Sequence, residues 1–134
     1  MKTLVLLLLV VGVFFIIRHL LAGSSISPAE AAARVAAGKA VLIDVREPGE
    51  WTGGVAEPAL LCSLSDLRSA RTQWKPVLEA NRDKELILYC ASGARSGLAA
   101  GMLRKEGFSA VNGGGFGGWR GAGLPVRLLD QATD

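Results

Sequence analysis

The passage from strand to helix around Cys90 constrains this chain more than any other feature. Leu86-Ile87-Leu88-Tyr89 is an unbroken apolar run of the kind that forms a strand, and Gly97 to Glu106 reads as a helix. Only Cys90-Ala91-Ser92-Gly93-Ala94-Arg95-Ser96 lies at the junction. A tight loop of small residues lets its backbone amides point inward, and the helix N-terminus adds positive potential at the same place. Both effects favour a thiolate over a thiol, so Cys90 reads as a nucleophile and Ala91, Ser92, Gly93, Ala94, Arg95 and Ser96 as its cradle. Arg95 adds a full positive charge. Gly93 supplies a φ that other residues resist. Ser92 and Ser96 offer hydroxyl donors, although Ser96 serves equally well as a helix-start residue.

The rest of the chain supplies a scaffold for such a loop. Ser27-Pro28-x-Glu30 reads as a helix start, with Ser27 as N-cap, and the helix runs through the alanines to Ala37 before Gly38 stops it. Val41 to Val45 is a short β-branched run, a buried strand, and Leu60 to Leu64 reads as another. Ser65-Asp66 opens a polar helical stretch that Pro76 breaks or restarts. A helix over Ala94 to Glu106 ends at Gly107, Phe108 to Asn112 is the last core strand, and the glycine-rich stretch 113–123 reads as a surface loop. Strands alternating with helices predict an α/β domain with a mostly parallel sheet, and such sheets bind ligands at the carboxyl ends of their strands.

The N-terminus is different in kind. Leu4 to Ile17 is apolar throughout, broken only by Gly12, and Arg18-His19 precedes Leu20-Leu21-Ala22. Residues 4–22 approach the length of a membrane helix, with Arg18 able to reach the interface. The expectation is a membrane anchor over 1–23 ahead of a domain over 24–134, with the positive charges tilting the domain slightly toward the cytoplasmic side. Lys2 before a short apolar core also suits a cleaved signal peptide, which would leave the domain periplasmic or secreted. Ser24 stands where a lipidated cysteine would be needed, which excludes lipidation there.

Lys2 and Arg18 are two of the 15 basic residues, so the remainder carries 13 against 12 acidic residues. The basic balance therefore gives no case for nucleic-acid binding, and no Lys/Arg cluster with interleaved aromatics appears. Two cysteines, Cys62 and Cys90, make no disulfide framework. With His19 the single histidine, no zinc site is expected, and no nucleotide-binding loop is present. No metal or cofactor is called for.

Cys90-x-x-Gly93-x-Arg95-Ser96 resembles the active loop of the rhodanese-like sulfurtransferases. Asp44-Val45-Arg46-Glu47-Pro48 with Glu50-Trp51 is similar to a second signature of that family, and Gly113-Gly114, Trp119 and Gly123-Leu124-Pro125-Val126 resemble its closing segment. Order and spacing fit from about Ile26 to Val126. Val55 and Pro58 depart from the pattern, standing where a histidine and a glycine are common, and Pro58 implies a stiffer turn. The resemblance implies a central parallel sheet flanked by helices. It also implies that Cys90 takes a sulfane sulfur from a small donor anion such as thiosulfate. A thiol, cyanide or protein acceptor then removes that sulfur from the persulfide. Arg95 would bind the donor or stabilise departing sulfite.

Two other functions compete. Cysteine phosphatases use five residues between Cys and Arg, whereas four separate Cys90 from Arg95, and no acid for the leaving oxygen is identified. A membrane-tethered persulfide carrier or binding module with protein partners is the alternative from another class. Asp44 and Arg46 either line the site or, the stronger reading, pair to fix neighbouring loops. Trp51 and Trp119 read as packing aromatics and Cys62 as a buried thiol. Oligomeric state is not legible.

Overall fold

The computed structural model describes residues 1–21 and 25–129. In chain order the first elements are α1 (Lys2–Leu21), α2 (Pro28–Ala36), β1 (Ala40–Asp44), α3 (Pro48–Trp51), β2 (Val55–Ala56) and β3 (Leu60–Leu61). They are followed by α4 (Leu64–Leu67), α5 (Trp74–Ala80), β4 (Glu85–Cys90), α6 (Ala94–Lys105), β5 (Ala110–Gly115), α7 (Phe116–Gly121) and β6 (Val126–Arg127). Strands β3, β1, β4 and β5 stand side by side in that order, all parallel, while β2 and β6 form a small antiparallel ribbon.

Helices cover both faces of the sheet, which is why its central strands are apolar without alternation. Side chains of a strand point alternately to the two faces. Ile43, Val45, Leu86, Leu88 and Cys90 pack on one side with Leu64, Leu67, Trp74, Leu78, Ala99, Ala100 and Leu103. Leu42, Ile87 and Tyr89 face the other side with Ala31, Phe116 and Trp119. Cys90 is thereby committed to the face covered by α6, at the carboxyl end of a central strand.

Local chemistry sets most boundaries. The Ser27 hydroxyl accepts the Glu30 amide at 3.2 Å, and Gly38, at φ +72°, turns the chain out of α2. The strand expected over Leu60 to Leu64 stops after Leu61. Ser63 caps the Asp66 amide and turns the chain into α4 instead. Pro76 lies in the first turn of α5, so it marks a second start.

The larger correction concerns the glycines. The stretch expected to be a surface loop completes β5 and forms α7. The pairing of β4 with β5 shifts register between Leu88↔Asn112 and Cys90↔Gly115, which gives β5 one extra residue there. A Cβ at Gly113 would stand 2.9 Å from the Ile87 side chain, and one at Gly115 would stand 2.5 Å from the Ala91 carbonyl oxygen. These glycines let the strand come close to the cysteine loop.

Helix α1 exposes its side chains from Leu4 to Ile17. Among the described residues no helix is long and apolar enough to cross a membrane. The expected transmembrane anchor over residues 4–22 is therefore not supported. The unbroken apolar run ends at Arg18, and 14 residues from Leu4 to Ile17 rise only about 21 Å against a hydrocarbon core of about 30 Å. The expected boundary between residues 23 and 24 lies outside the described residues.

Candidate active site

Strand β4 delivers Cys90 to the rim of the sheet, and the chain turns at once into α6. Gly93 makes that turn possible. It is the N-cap of α6 and holds φ +93°, a left-handed conformation that side chains resist. In this conformation the Gly93 amide donates to Cys90 Sγ at 3.0 Å, while the Ser96 hydroxyl lies 3.4 Å from the same sulfur. Cys90 and Ser96 are fully buried, whereas Ala91, Ser92 and Ala94 are exposed at the mouth.

These contacts decide the thiol's chemistry. Burial pushes the Cys90 thiol up, but hydrogen bonds to the sulfur, the amides of Ser96, Ser92 and Gly93 among them, outweigh it. The net direction is below the ordinary range. Cys62 is the contrast. It is equally buried, its Sγ donates to the Gln73 carbonyl at 3.6 Å, and burial together with Asp66 pushes its thiol up to about 12. The surroundings of Cys90 favour the thiolate and those of Cys62 favour the thiol.

Arg95 stands at the mouth but its guanidinium is engaged. It makes a bidentate pair with Glu50 of α3, at 2.7 and 2.8 Å, with both side chains about one-third exposed. The Arg95 hydrogen bonds hold the Glu50 carboxyl down at about 2. Glu50 also accepts the Glu47 amide at 2.9 Å, which closes the first turn of α3. Sequence reasoning singled out Arg95 and missed Glu50, because 45 residues separate them and only the packing of α3 against the loop makes them neighbours.

Asp44 and Arg46 form a buried ion pair. Arg46 donates to the Asp44 carboxylate from its backbone amide at 2.9 Å and from Nη2 at 2.8 Å, and that same Nη2 donates to the Gly54 carbonyl at 2.8 Å. Its guanidinium also lies over the Phe116 ring, 4.4 Å from the centroid. The pair ties the end of β1 to the chain that follows α3. Among the described hydrogen bonds neither residue reaches Cys90.

A second residue escaped the sequence reading. Asn112 of β5 accepts the Ser96 hydroxyl at 2.8 Å and the Gly114 amide at 3.0 Å on Oδ1, and donates from Nδ2 to the Gly93 carbonyl at 2.9 Å. It had passed as the last residue of a strand, and no motif signals it. Among the described residues no group of three His, Cys, Asp or Glu side chains is placed to hold a metal ion.

Comparison with known proteins agrees with this geometry. The family model described as "Rhodanese-like domain" matches residues 27–122. The chain is 42% identical over 85 residues to the uncharacterized protein YqhL of Bacillus subtilis, covering 62% of this chain and 63% of that protein. It is 31% identical over 88 residues to a protein named sulfurtransferase from Allochromatium vinosum, covering 64% of this chain and 77% of that one. The crystal structure of a rhodanese-related protein from Thermoplasma volcanium superposes with a TM-score of 0.66 at 32% identity, covering 78% of this chain and 98% of that chain. Several curated relatives are longer, and the chain spans only 63%, 46% and 33% of three of them.

Proposed function

The chain belongs to the rhodanese-like domain family, and from that premise we propose that it is a sulfurtransferase carrying a sulfane sulfur on Cys90. The observation that carries this reading is the convergence of loop amides, that of Gly93 at 3.0 Å among them, on one buried sulfur at a strand end. The thiolate attacks the donor's outer sulfur, an S–S bond to Cys90 forms, and the donor's own sulfur bond breaks with its electron pair. With thiosulfate the leaving group is sulfite. An acceptor nucleophile then attacks the outer sulfur of the persulfide and restores the thiolate. The loop amides stabilise the sulfur anions of both steps, as an oxyanion hole stabilises oxygen.

Cys90 has no exposed surface, so a donor reaches it through the small exposed residues Ala91, Ser92 and Ala94. The four-residue spacing between Cys90 and Arg95 supports this reading over phosphatase chemistry, which needs room for a tetrahedral phosphate. The test is thiocyanate formation from thiosulfate and cyanide, or from a low-molecular-weight persulfide and cyanide. Turnover with at least one donor, abolished in Cys90→Ala, is expected. Equal rates in wild type and Cys90→Ala would overturn the proposal.

One observation bears on the donor. Because Glu50 neutralises Arg95, a dianion such as thiosulfate must compete with a resident carboxylate, whereas a persulfide or a partner's thiol need not. This favours a relay between thiols, with protein partners, over a dedicated thiosulfate enzyme. Residues 1–23 belong to the same proposal. An apolar core of 14 residues after Lys2 matches the short core of a signal peptide better than a membrane span, and delivers the domain beyond the cytoplasm. N-terminal sequencing of protein from its native host decides this, a start near Gly23 to Ser25 being the expected result and a start at Met1 the contrary one.

A further inference from the structure

We infer that Asn112 is a positioning residue for the thiolate, acting by holding the Gly93 carbonyl and with it the left-handed turn that keeps the Gly93 amide on Cys90 Sγ. The inference rests on Cys90 being the working thiol. Its geometry is fully determined by polar partners. Asn112 Oδ1 faces two donors, the Ser96 hydroxyl at 2.8 Å and the Gly114 amide at 3.0 Å, and Nδ2 faces one acceptor, the Gly93 carbonyl at 2.9 Å. Turning the amide over would set NH2 against a backbone donor and oxygen against a carbonyl, so this orientation alone satisfies all three.

The consequence follows from the backbone at Gly93, whose N–H and C=O lie on successive peptide planes joined only by its own φ and ψ. Gly93 gives its amide to Cys90 Sγ at 3.0 Å and its carbonyl to Asn112. Gly93 occupies φ +93°, a region reached at no steric penalty by glycine but not enforced by it. A glycine free to move needs an outside contact to stay there, and the described hydrogen bonds give its carbonyl two: the Asn112 amide and the Gly97 amide of the first helical turn. Asn112 is the one anchored in the sheet, opposite Leu88. Gly97 leaves room for it. A Cβ at Gly97 would lie 3.2 Å from Asn112 Nδ2, closer than ordinary contact.

Other charges near the thiol are accounted for separately. Arg95 of α6 is the cation that acts on Cys90, and it is paired with Glu50, with Glu47 nearby at the N-cap of α3. Asp44 at the end of β1 is paired with Arg46. Cys62 shares the cluster on this face, and β5 offers no titratable side chain. None of these is touched by a change at Asn112 or Gly97.

The experiment is the pH profile of Cys90 alkylation by iodoacetamide on the full chain, with the modified residue assigned by peptide mass. In a Ser96→Ala background, where no hydroxyl proton is freed to reach the sulfur, Asn112→Leu keeps the shape, removes the remaining hydrogen bonds and should raise the midpoint by about one pH unit, a tenfold loss of thiolate below it. With Ser96 present the rise should be smaller, because the hydroxyl released by Asn112 can donate to Sγ. Gly97→Ala should shift the midpoint in the same direction with native far-UV circular dichroism, because its Cβ pushes on Asn112 Nδ2 while alanine suits the helix. An unmoved midpoint in a folded chain carrying Asn112→Leu and Ser96→Ala, read against Ser96→Ala alone, overturns the clamp. If Asn112→Leu does not fold, an unmoved midpoint in Gly97→Ala overturns it alone. Alkylation needs no sulfur transfer, so a shifted midpoint in a protein without transferase activity would sink the proposed function and leave the clamp standing.

Discussion

Replacing Glu50 with Gln removes the charge and one of the two acceptors that hold Arg95, and it asks whether Arg95 is available to a donor. In the wild type the guanidinium holds Glu50 through two bonds of 2.7 and 2.8 Å. A bidentate pair is the strong form of this interaction, but with 35% and 36% of the two side chains exposed, water screens it to about 1 kcal/mol. Thiosulfate is a dianion and must overcome that pairing before Arg95 can help it. Glu50→Gln should therefore raise kcat/KM for thiosulfate about fivefold, the equivalent of about 1 kcal/mol. A low-molecular-weight persulfide should change less than about twofold, and added salt should shrink the gain. The assay is the initial rate of thiocyanate formation at fixed cyanide, run at two ionic strengths. An unchanged or lower thiosulfate rate in a folded variant would refute the competition and recast Glu50 as the residue that orients Arg95. Acid cannot substitute for the mutation. Arg95 lowers the Glu50 carboxyl from 4.5 to about 2, so the pair's stability is present above the ordinary value and lost as pH falls through the folded one. The stability difference between wild type and Glu50→Gln should accordingly shrink between about pH 5 and pH 2, read by denaturant melts.

Cys62→Ala should keep transferase activity within about twofold and lose about 1 kcal/mol of stability in a urea melt, since its thiol is buried and pushed up to about 12. Asp44→Asn should destabilise by about 3–5 kcal/mol, because Arg46, only 6% exposed, would keep its charge without a counter-ion. Gly115→Ala should lower the turnover rate by at least about tenfold while far-UV circular dichroism stays native. Its new Cβ would sit 2.5 Å from the Ala91 carbonyl oxygen and would displace the loop that positions the sulfur.

Much of the fold is written locally. Ser27 and Gly38 bound α2, and the apolar run ahead of Cys90 is a strand because both of its faces are covered. The cysteine loop is legible for the same reason, since its residues are contiguous and Gly93 must take a left-handed turn. What was not legible depends on contacts between distant segments. Glycines disfavour strands and helices by propensity, and only the approach of Ala91 to Gly115 explains why β5 continues through them. Glu50 and Asn112 are ordinary polar residues in the sequence, and they acquire roles through packing against a loop more than a dozen residues away. The apolar N-terminus differs from the expected span over 4–22 because its continuous run ends at Ile17, ahead of Arg18 and His19.

The central claim is that Cys90 carries sulfur, and intact-mass measurement of the protein after exposure to thiosulfate or a small persulfide tests it most directly. The account predicts that the wild type gains the mass of one sulfur atom, that cyanide removes it, that Cys62→Ala still gains it and that Cys90→Ala does not. An adduct that persists in Cys90→Ala, or that maps to Cys62, would contradict it.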